Sequence, residues 1–287
     1  MTTPHNHATT DEGEVVVEEH SYGTGPRHNL DLYRPATDQK KRVVLVWVHG
    51  GAWVDRSKAE FANLGRGLVK ASGGSLSVAV LNYHLSPRTR PPTHVFPAHV
   101  LDIAQALQWL WQHEQEAAKG APVELWVCGH SAGAHMAGLL ALDPSYLAST
   151  HKEGDREGVR VAGWIGIAGI YDLPRLHADF PTYKEHFLDF AFGEDESKWR
   201  DASPQFLSHT GRSTSPWLVV HSEEDELVNT AQPVHWVQHL EALGVPVQYH
   251  LEAKGGRHWD GVNSLAHPAD SSLARLITDF VRTSGQP

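Results

Sequence analysis

The sequence predicts an α/β fold with a mostly parallel sheet of about eight strands and helices on both faces. Three observations carry this. Val43–Val48 and Ser77–Tyr83 are apolar, β-branched runs without alternation, the mark of strands buried on both faces. Segments with apolar residues at helical spacing alternate with such runs, as in strand–helix–strand units. The chain is 287 residues long, enough to bury one sizeable core.

The elements follow in order. Residues 1–13 are polar and read as a disordered arm, leaving 14–287 as a single domain. Glu14–Ser21 and His28–Arg34 alternate in polarity and predict an antiparallel hairpin at a sheet edge. Val43–Val48 is the first buried strand, Phe61–Ala71 a helix and Ser77–Tyr83 the second buried strand. Pro87–Pro97 is a proline-rich loop. Val100–Ala118 carries Leu101, Ala104, Leu107 and Leu110 at helical spacing. Val123–Cys128 is a strand that enters a tight turn, and Ala132–Leu142 is the helix that leaves it. Arg160–Ala168, Trp217–His221 and Val245–Leu251 are further strands, with helices marked by Trp236, Leu240 and Leu243 and by Leu273–Val281. The stretch from about 172 to 215 is long, irregular and rich in Phe, Tyr and Trp, and is expected to be a cap or lid.

Composition excludes several classes of function. Lys plus Arg total 24 against 34 Asp plus Glu, a net charge of −10, which argues against a phosphate-backbone binder. The single cysteine, Cys128, has no internal disulfide partner and is expected to be a small buried residue. No apolar leader and no membrane-length apolar run occurs, so a cytoplasmic location is expected. The 21 histidines raise the question of metal. No His-Glu-x-x-His pattern and no Cys/His cluster of zinc spacing is present, so no metal is expected and most histidines are read as exposed or in loops.

The strand–turn–helix around Gly129-His130-Ser131-Ala132-Gly133 is the context of a nucleophile elbow. A serine there points its hydroxyl out of the top of the sheet. It needs a base and an orienting acid, which in this architecture follow later strands in the order Ser, Asp or Glu, His. After Trp217–His221 the chain reads Ser222-Glu223-Glu224-Asp225-Glu226-Leu227-Val228. Asp225 is the expected acid, because Leu227 and Val228 can anchor its loop, while Glu223, Glu224 and Glu226 read as a solvated rim. After the last strand come Gly255-Gly256-Arg257-His258. His258 is the expected base, since His250 lies within the strand and His267 beyond the loop. His49-Gly50-Gly51-Ala52-Trp53 follows a buried strand directly, the position of an oxyanion hole. Its donors are expected among Gly50, Gly51 and Ala52, with Ala132 after the nucleophile, each worth about 3–4 kcal/mol to a developing oxyanion. His49 is read as ordering that loop.

On these residues the chain resembles the α/β-hydrolase superfamily, and within it the kynurenine formamidase (arylformamidase) family. His49-Gly50-Gly51-Ala52-Trp53 is similar to the family's His-Gly-Gly-x-Trp motif. Residues His28–Pro35, Gly129–His135, Gly169-Ile170-Tyr171-Asp172-Leu173 and His258-Trp259-Asp260 add to the resemblance. It implies hydrolysis of N-formyl-L-kynurenine to kynurenine and formate, a step of tryptophan breakdown. It implies Ser131, Asp225 and His258 as a triad, with Trp53 and Tyr171 on the substrate side. Related esterases carry a third glycine where this chain has Ala52, and the bulky Trp53 that follows would narrow the acyl side. The alternative is a broad-specificity short-acyl carboxylesterase. No cofactor is expected. The expected partner is a small molecule, an aryl formamide or ester, with no nucleic acid and no membrane, and a homodimer is left open.

Overall fold

The computed structural model describes residues 9–11, 15–37, 41–150, 158–208, 215–252 and 256–285. Its strands are β1 (Thr9–Asp11), β2 (Val15–Ser21), β3 (Asn29–Pro35), β4 (Arg42–Val48), β5 (Ser77–Leu81), β6 (Val123–His130), β7 (Val161–Ile167), β8 (Trp217–Ser222) and β9 (Val247–Glu252). They form one sheet in the order β1-β2-β3-β5-β4-β6-β7-β8-β9. The first three join antiparallel, and β3 also runs antiparallel to β5. From β5 to β9 every pairing is parallel. This is the α/β-hydrolase sheet that the sequence predicts, with one added edge strand. That strand corrects the expected arm: Thr9–Asp11 pairs with Val15–Val17, because the valine-rich β2 offers a free edge. The rest of the expected arm, residues 1–8 and 12–13, lies outside the described residues.

The helices are α1 (Ala62–Ala71), α2 (Ala98–Ala118), α3 (Ala132–Leu142), α4 (Ser145–Ala148), α5 (Leu173–Asp179), α6 (Asp189–Phe192), α7 (Ala231–Ala242), α8 (Asp260–Ser264) and α9 (Ser272–Ser284). The period of two along β4 divides the core. Val44, Val46 and Val48 share a cluster with α2, α3 and α7, whereas Leu45 and Trp47 share one with α1 and α9. Both faces being covered explains why β4 shows no polar alternation. Each such buried side chain contributes about 1.5–3 kcal/mol. None of the described helices is long and apolar enough to cross a membrane.

The crossing of β6, α3 and β4 is tight enough to dictate sequence. A Cβ on Gly133 would stand 2.1 Å from the Val48 carbonyl oxygen, and one on Gly129 would stand 2.4 Å from Gly133. These backbone neighbours cannot move aside, so both positions demand glycine.

The segment after β7 is a packed cover rather than an open loop. It contains α5, a π-helical turn (Lys184–Leu188), α6 and two short 3-10 turns, Glu196–Lys198 and Pro204–Phe206. Residues 209–214 of the expected insertion lie outside the described residues. Leu176, Leu188, Phe192 and Trp199 are buried beneath it. It is tied to the body by His135 Nε2 donating to the Ala202 carbonyl (2.7 Å) and Phe96 N–H to Ala191 (2.8 Å). Tyr183 Oη donates to the Leu227 carbonyl at 3.1 Å.

Candidate active site

Ser131 lies between β6 and α3 with φ +53° and ψ −117°. A non-glycine residue in that region costs about 1–3 kcal/mol and persists only where its surroundings hold it. Here Ser131 N–H donates to the Ile167 carbonyl of β7 (2.9 Å), and its own carbonyl accepts from Ala134 and His135.

Asp225 and His258, the expected acid and base, follow the ends of the last two strands. His258 Nδ1 lies 2.8 and 3.0 Å from the two carboxylate oxygens of Asp225. With Nδ1–H donating to Asp225, Nε2 keeps its lone pair for proton transfer. Both side chains are almost wholly buried, at 2% and 1% exposure. Asp225 Oδ1 also accepts the N–H groups of Leu227 and Val228, each at 2.9 Å. Burial works to raise the Asp225 pKa. The hydrogen bond and charge of His258, with those two N–H groups, outweigh it and hold the carboxyl below its ordinary value.

The HGGAW turn stands against the elbow. A Cβ on Gly50 would lie 3.0 Å from Ser131 Cβ. Gly51, Ala52 and Trp53 all have positive φ, at +109°, +50° and +60°. The turn is closed by Val54 and Asp55 N–H donating to the Gly51 carbonyl, which leaves the N–H groups of Gly51 and Ala52 outside its own bonds. Ala132, at the first turn of α3, has an N–H outside the helical ladder. His49 donates from Nδ1 to the Gly50 carbonyl (2.7 Å) and stacks on Tyr83, whose Oη donates to the His49 carbonyl. It orders the loop as expected of it.

Several contacts escape a reading of the sequence. His130 Nε2 donates to the His258 carbonyl (3.0 Å), so the residue before Ser131 ties His258 to the elbow. Burial, then the His258 charge, holds His130 well below the ordinary histidine pKa and hence neutral. His221 donates from Nε2 to the Val228 carbonyl (2.8 Å) and sits 3.8 Å from Asp225. Glu223, Glu224 and Glu226 are exposed, as expected of a solvated rim, and two of them have a further role. Glu226 accepts the backbone N–H of His258, and Glu224 that of Gly256, both at 3.1 Å. These exposed carboxylates also anchor the histidine loop. Only the Gly255-Gly256-Arg257-His258 run, which follows the next strand, could have hinted at this.

Two residues expected on the substrate side are corrected as well. Trp53 and Tyr171 are both fully buried. The Trp53 ring meets His135 at 5.0 Å and Phe192 at 4.8 Å, both edge-on. Tyr171 stacks flat on Trp236 at 4.7 Å, and its hydroxyl points at Gly166 and Gly169, where a Cβ would stand 2.2 Å away. Tyr171 therefore props the start of the insertion and touches no open space. Trp53 shapes the site from behind by backing onto α3 and the insertion.

The histidines are also more buried than expected. Among the described residues, His49, His99, His130, His135, His221 and His258 are buried. Burial depresses His49 and His135 from 6.5 to about 4, and His99 to about 3. Their folded pKa values lie below the unfolded ones. Above pH about 6.5 both states are neutral and nothing is lost; as pH falls toward about 4 the unfolded chain alone binds protons. The unfolding free energy is expected to drop by up to about 1.4 kcal/mol per pH unit for each such histidine. Urea midpoints measured between neutrality and pH about 5 check this; a flat profile contradicts it.

Comparison with known proteins agrees with this architecture. Residues 30–240 match the family model described as BD-FAE. Esterase LipQ of Mycobacterium tuberculosis is 28% identical over 268 residues, covering 91% of this chain. The chain spans 60% of the length of LipQ. A kynurenine formamidase of Meyerozyma guilliermondii is 28% identical over 266 residues, covering 91% of this chain and 92% of that protein. Among solved structures, esterase B from Lactobacillus rhamnosis superposes with a TM-score of 0.74 at 19% identity, over 94% of this chain and 85% of the other.

Proposed function

Since this chain belongs to the BD-FAE family and is a hydrolase of α/β-hydrolase fold, we propose that it cleaves the formamide of N-formyl-L-kynurenine. Ser131 Oγ attacks the formyl carbon and passes its proton to His258 Nε2. Asp225 holds the imidazole in the tautomer that accepts it and stabilises the imidazolium that results. The carbonyl oxygen takes the negative charge and is met by N–H groups of Gly51, Ala52 and Ala132. His258 then returns the proton to the anilide nitrogen, and kynurenine leaves. Water repeats the cycle on the formyl-serine, giving formate and free Ser131. Kynurenine formamidase activity in the Meyerozyma relative supports this substrate.

The observation that carries the small acyl group is the Trp53 wedge. Directly after Gly51 and Ala52, its ring fills the space between the donor loop, His135 on α3 and Phe192 of the insertion. A hydrogen-sized acyl substituent needs no volume there. The aromatic leaving group has a matching surface in the half-buried row of Phe180, Tyr183 and Phe187, whose rings follow one another at 4.8 Å.

The second reading is a short-acyl carboxylesterase, favoured by the esterase relatives LipQ and esterase B. Steady-state kinetics separate the two. As a formamidase, the protein is expected to show kcat/KM at least about tenfold higher for N-formyl-L-kynurenine than for p-nitrophenyl acetate. The reverse order replaces the formamidase reading with the esterase one.

A further inference from the structure

Away from the triad, three histidines converge on one carboxylate. Asp102, near the start of α2, is buried. Its Oδ1 is 3.0 Å from His28 Nε2, and its Oδ2 is 2.8 Å from His84 Nδ1. His94 Nε2 lies 4.0 Å from the same Oδ2. The ligand atoms of His28, His84 and Asp102 all fall within 4.8 Å of one another. Four neighbouring donors around a tetrahedral zinc ion, with bonds of about 2.0–2.1 Å, stand about 3.3 Å apart. The observed separations bracket that value. His94 Nε2 is buried and has no hydrogen-bond partner.

We propose that His28, His84, His94 and Asp102 form a binding site for a divalent zinc-class cation, separate from the catalytic machinery. The donors come from the β2–β3 turn, the loop after β5 and α2, so one ion would clip three separate segments together. That loop also reaches the oxyanion turn, since Ser86 N–H donates to the Trp53 carbonyl at 2.9 Å. The donor set of imidazole nitrogens and one carboxylate suits zinc and its neighbours rather than calcium or magnesium.

Without the ion, His28 and His84 each hold a proton toward Asp102. Metal entry moves each of those protons to the other ring nitrogen, because a neutral imidazole binds an ion through its unprotonated nitrogen. The four ligands are not equal. Gly25 N–H donates to His28 Nδ1 at 3.2 Å. A neutral His28 bound through Nε2 carries its proton on Nδ1, so the Gly25 contact has to turn away. His28 is therefore the weakest ligand, and Asp102 and His84 are the strongest.

Isothermal titration of the full-length protein with zinc chloride tests the site. One equivalent is expected to bind more tightly than the background of exposed histidines. His84→Asn is expected to weaken that site at least about tenfold, His28→Asn less, and His250→Asn, at an exposed position on β9, not at all. Asp102→Asn removes a hub of hydrogen bonds and is read only if circular dichroism shows it folded; His84→Asn decides otherwise. Cobalt(II) supplies a second readout: visible d–d bands of a low-coordinate site in the unsubstituted protein, absent in His84→Asn. No site above background, or equal affinity in His84→Asn and the unsubstituted protein, overturns the proposal. Hydrolysis does not enter this test, so its outcome is independent of the substrate.

Discussion

Ser131→Ala is expected to lower kcat by about 10⁶-fold with little change in KM, leaving the residual rate that a donor loop and substrate binding supply alone. The reasoning starts from the backbone. Ser131 is held at φ +53° by the Ile167 carbonyl and the first turn of α3. Alanine keeps that conformation, because it too lacks a branched Cβ, so the fold stays intact and only the nucleophile is lost. Covalent labelling by a fluorophosphonate is expected to disappear with the activity. Hydrolysis surviving at more than a hundredth of the original rate would transfer the attack to another group.

Asp225→Asn is expected to cost about 10⁴-fold in kcat. Asparagine can still accept the Leu227 and Val228 N–H groups at its carbonyl oxygen, so the loop keeps its anchor. What it cannot do is accept the His258 Nδ1–H with a charge. An amide presenting its NH₂ group turns the imidazole to the other tautomer, with the proton on Nε2 where the serine proton must go. The loss should fall on kcat rather than on thermal stability at neutral pH. It also discriminates among the crowded carboxylates of this turn. A loss below about tenfold, set against a larger one for Glu226→Gln, would give the orienting role to Glu226, which accepts the His258 backbone N–H and pairs with Arg257 in the structure.

Much of this architecture is legible in the chain itself. The continuous run Val43–Val48 announces a strand covered on both faces, and the two clusters meeting across β4 are the reason. The glycines on either side of His130 and Ala132 are dictated by backbone atoms 2.1 and 2.4 Å from where a Cβ would sit. Asp225 and His258 could be picked from their loops because each follows a strand end and is followed or preceded by residues that let the loop turn. Local order and polarity suffice for such features.

Other features needed the fold. Trp53 and Tyr171 look like residues that greet a substrate, since both adjoin motif positions. Their rings turn inward onto His135, Phe192 and Trp236, because an aromatic ring beside a sheet gains more from burial than from water. Glu224 and Glu226 carry the charge of a solvated rim, yet backbone N–H groups some thirty residues further on fold back to them. Residues 28, 84, 94 and 102 share no motif spacing, so the convergence of their side chains on one carboxylate is invisible in one dimension.

The sequence alone therefore determined which strands are buried, where the chain must turn sharply and which serine, aspartate and histidine stand at strand ends. These follow from short-range chemistry: hydrophobic periodicity, glycine at strained turns and polar loops after apolar runs. Only the tertiary structure decided which polar groups meet, which aromatic faces stay closed and which histidines are kept neutral. Those outcomes depend on distances between segments remote in the chain and on the cost of removing charge from water, and neither quantity is written in local sequence.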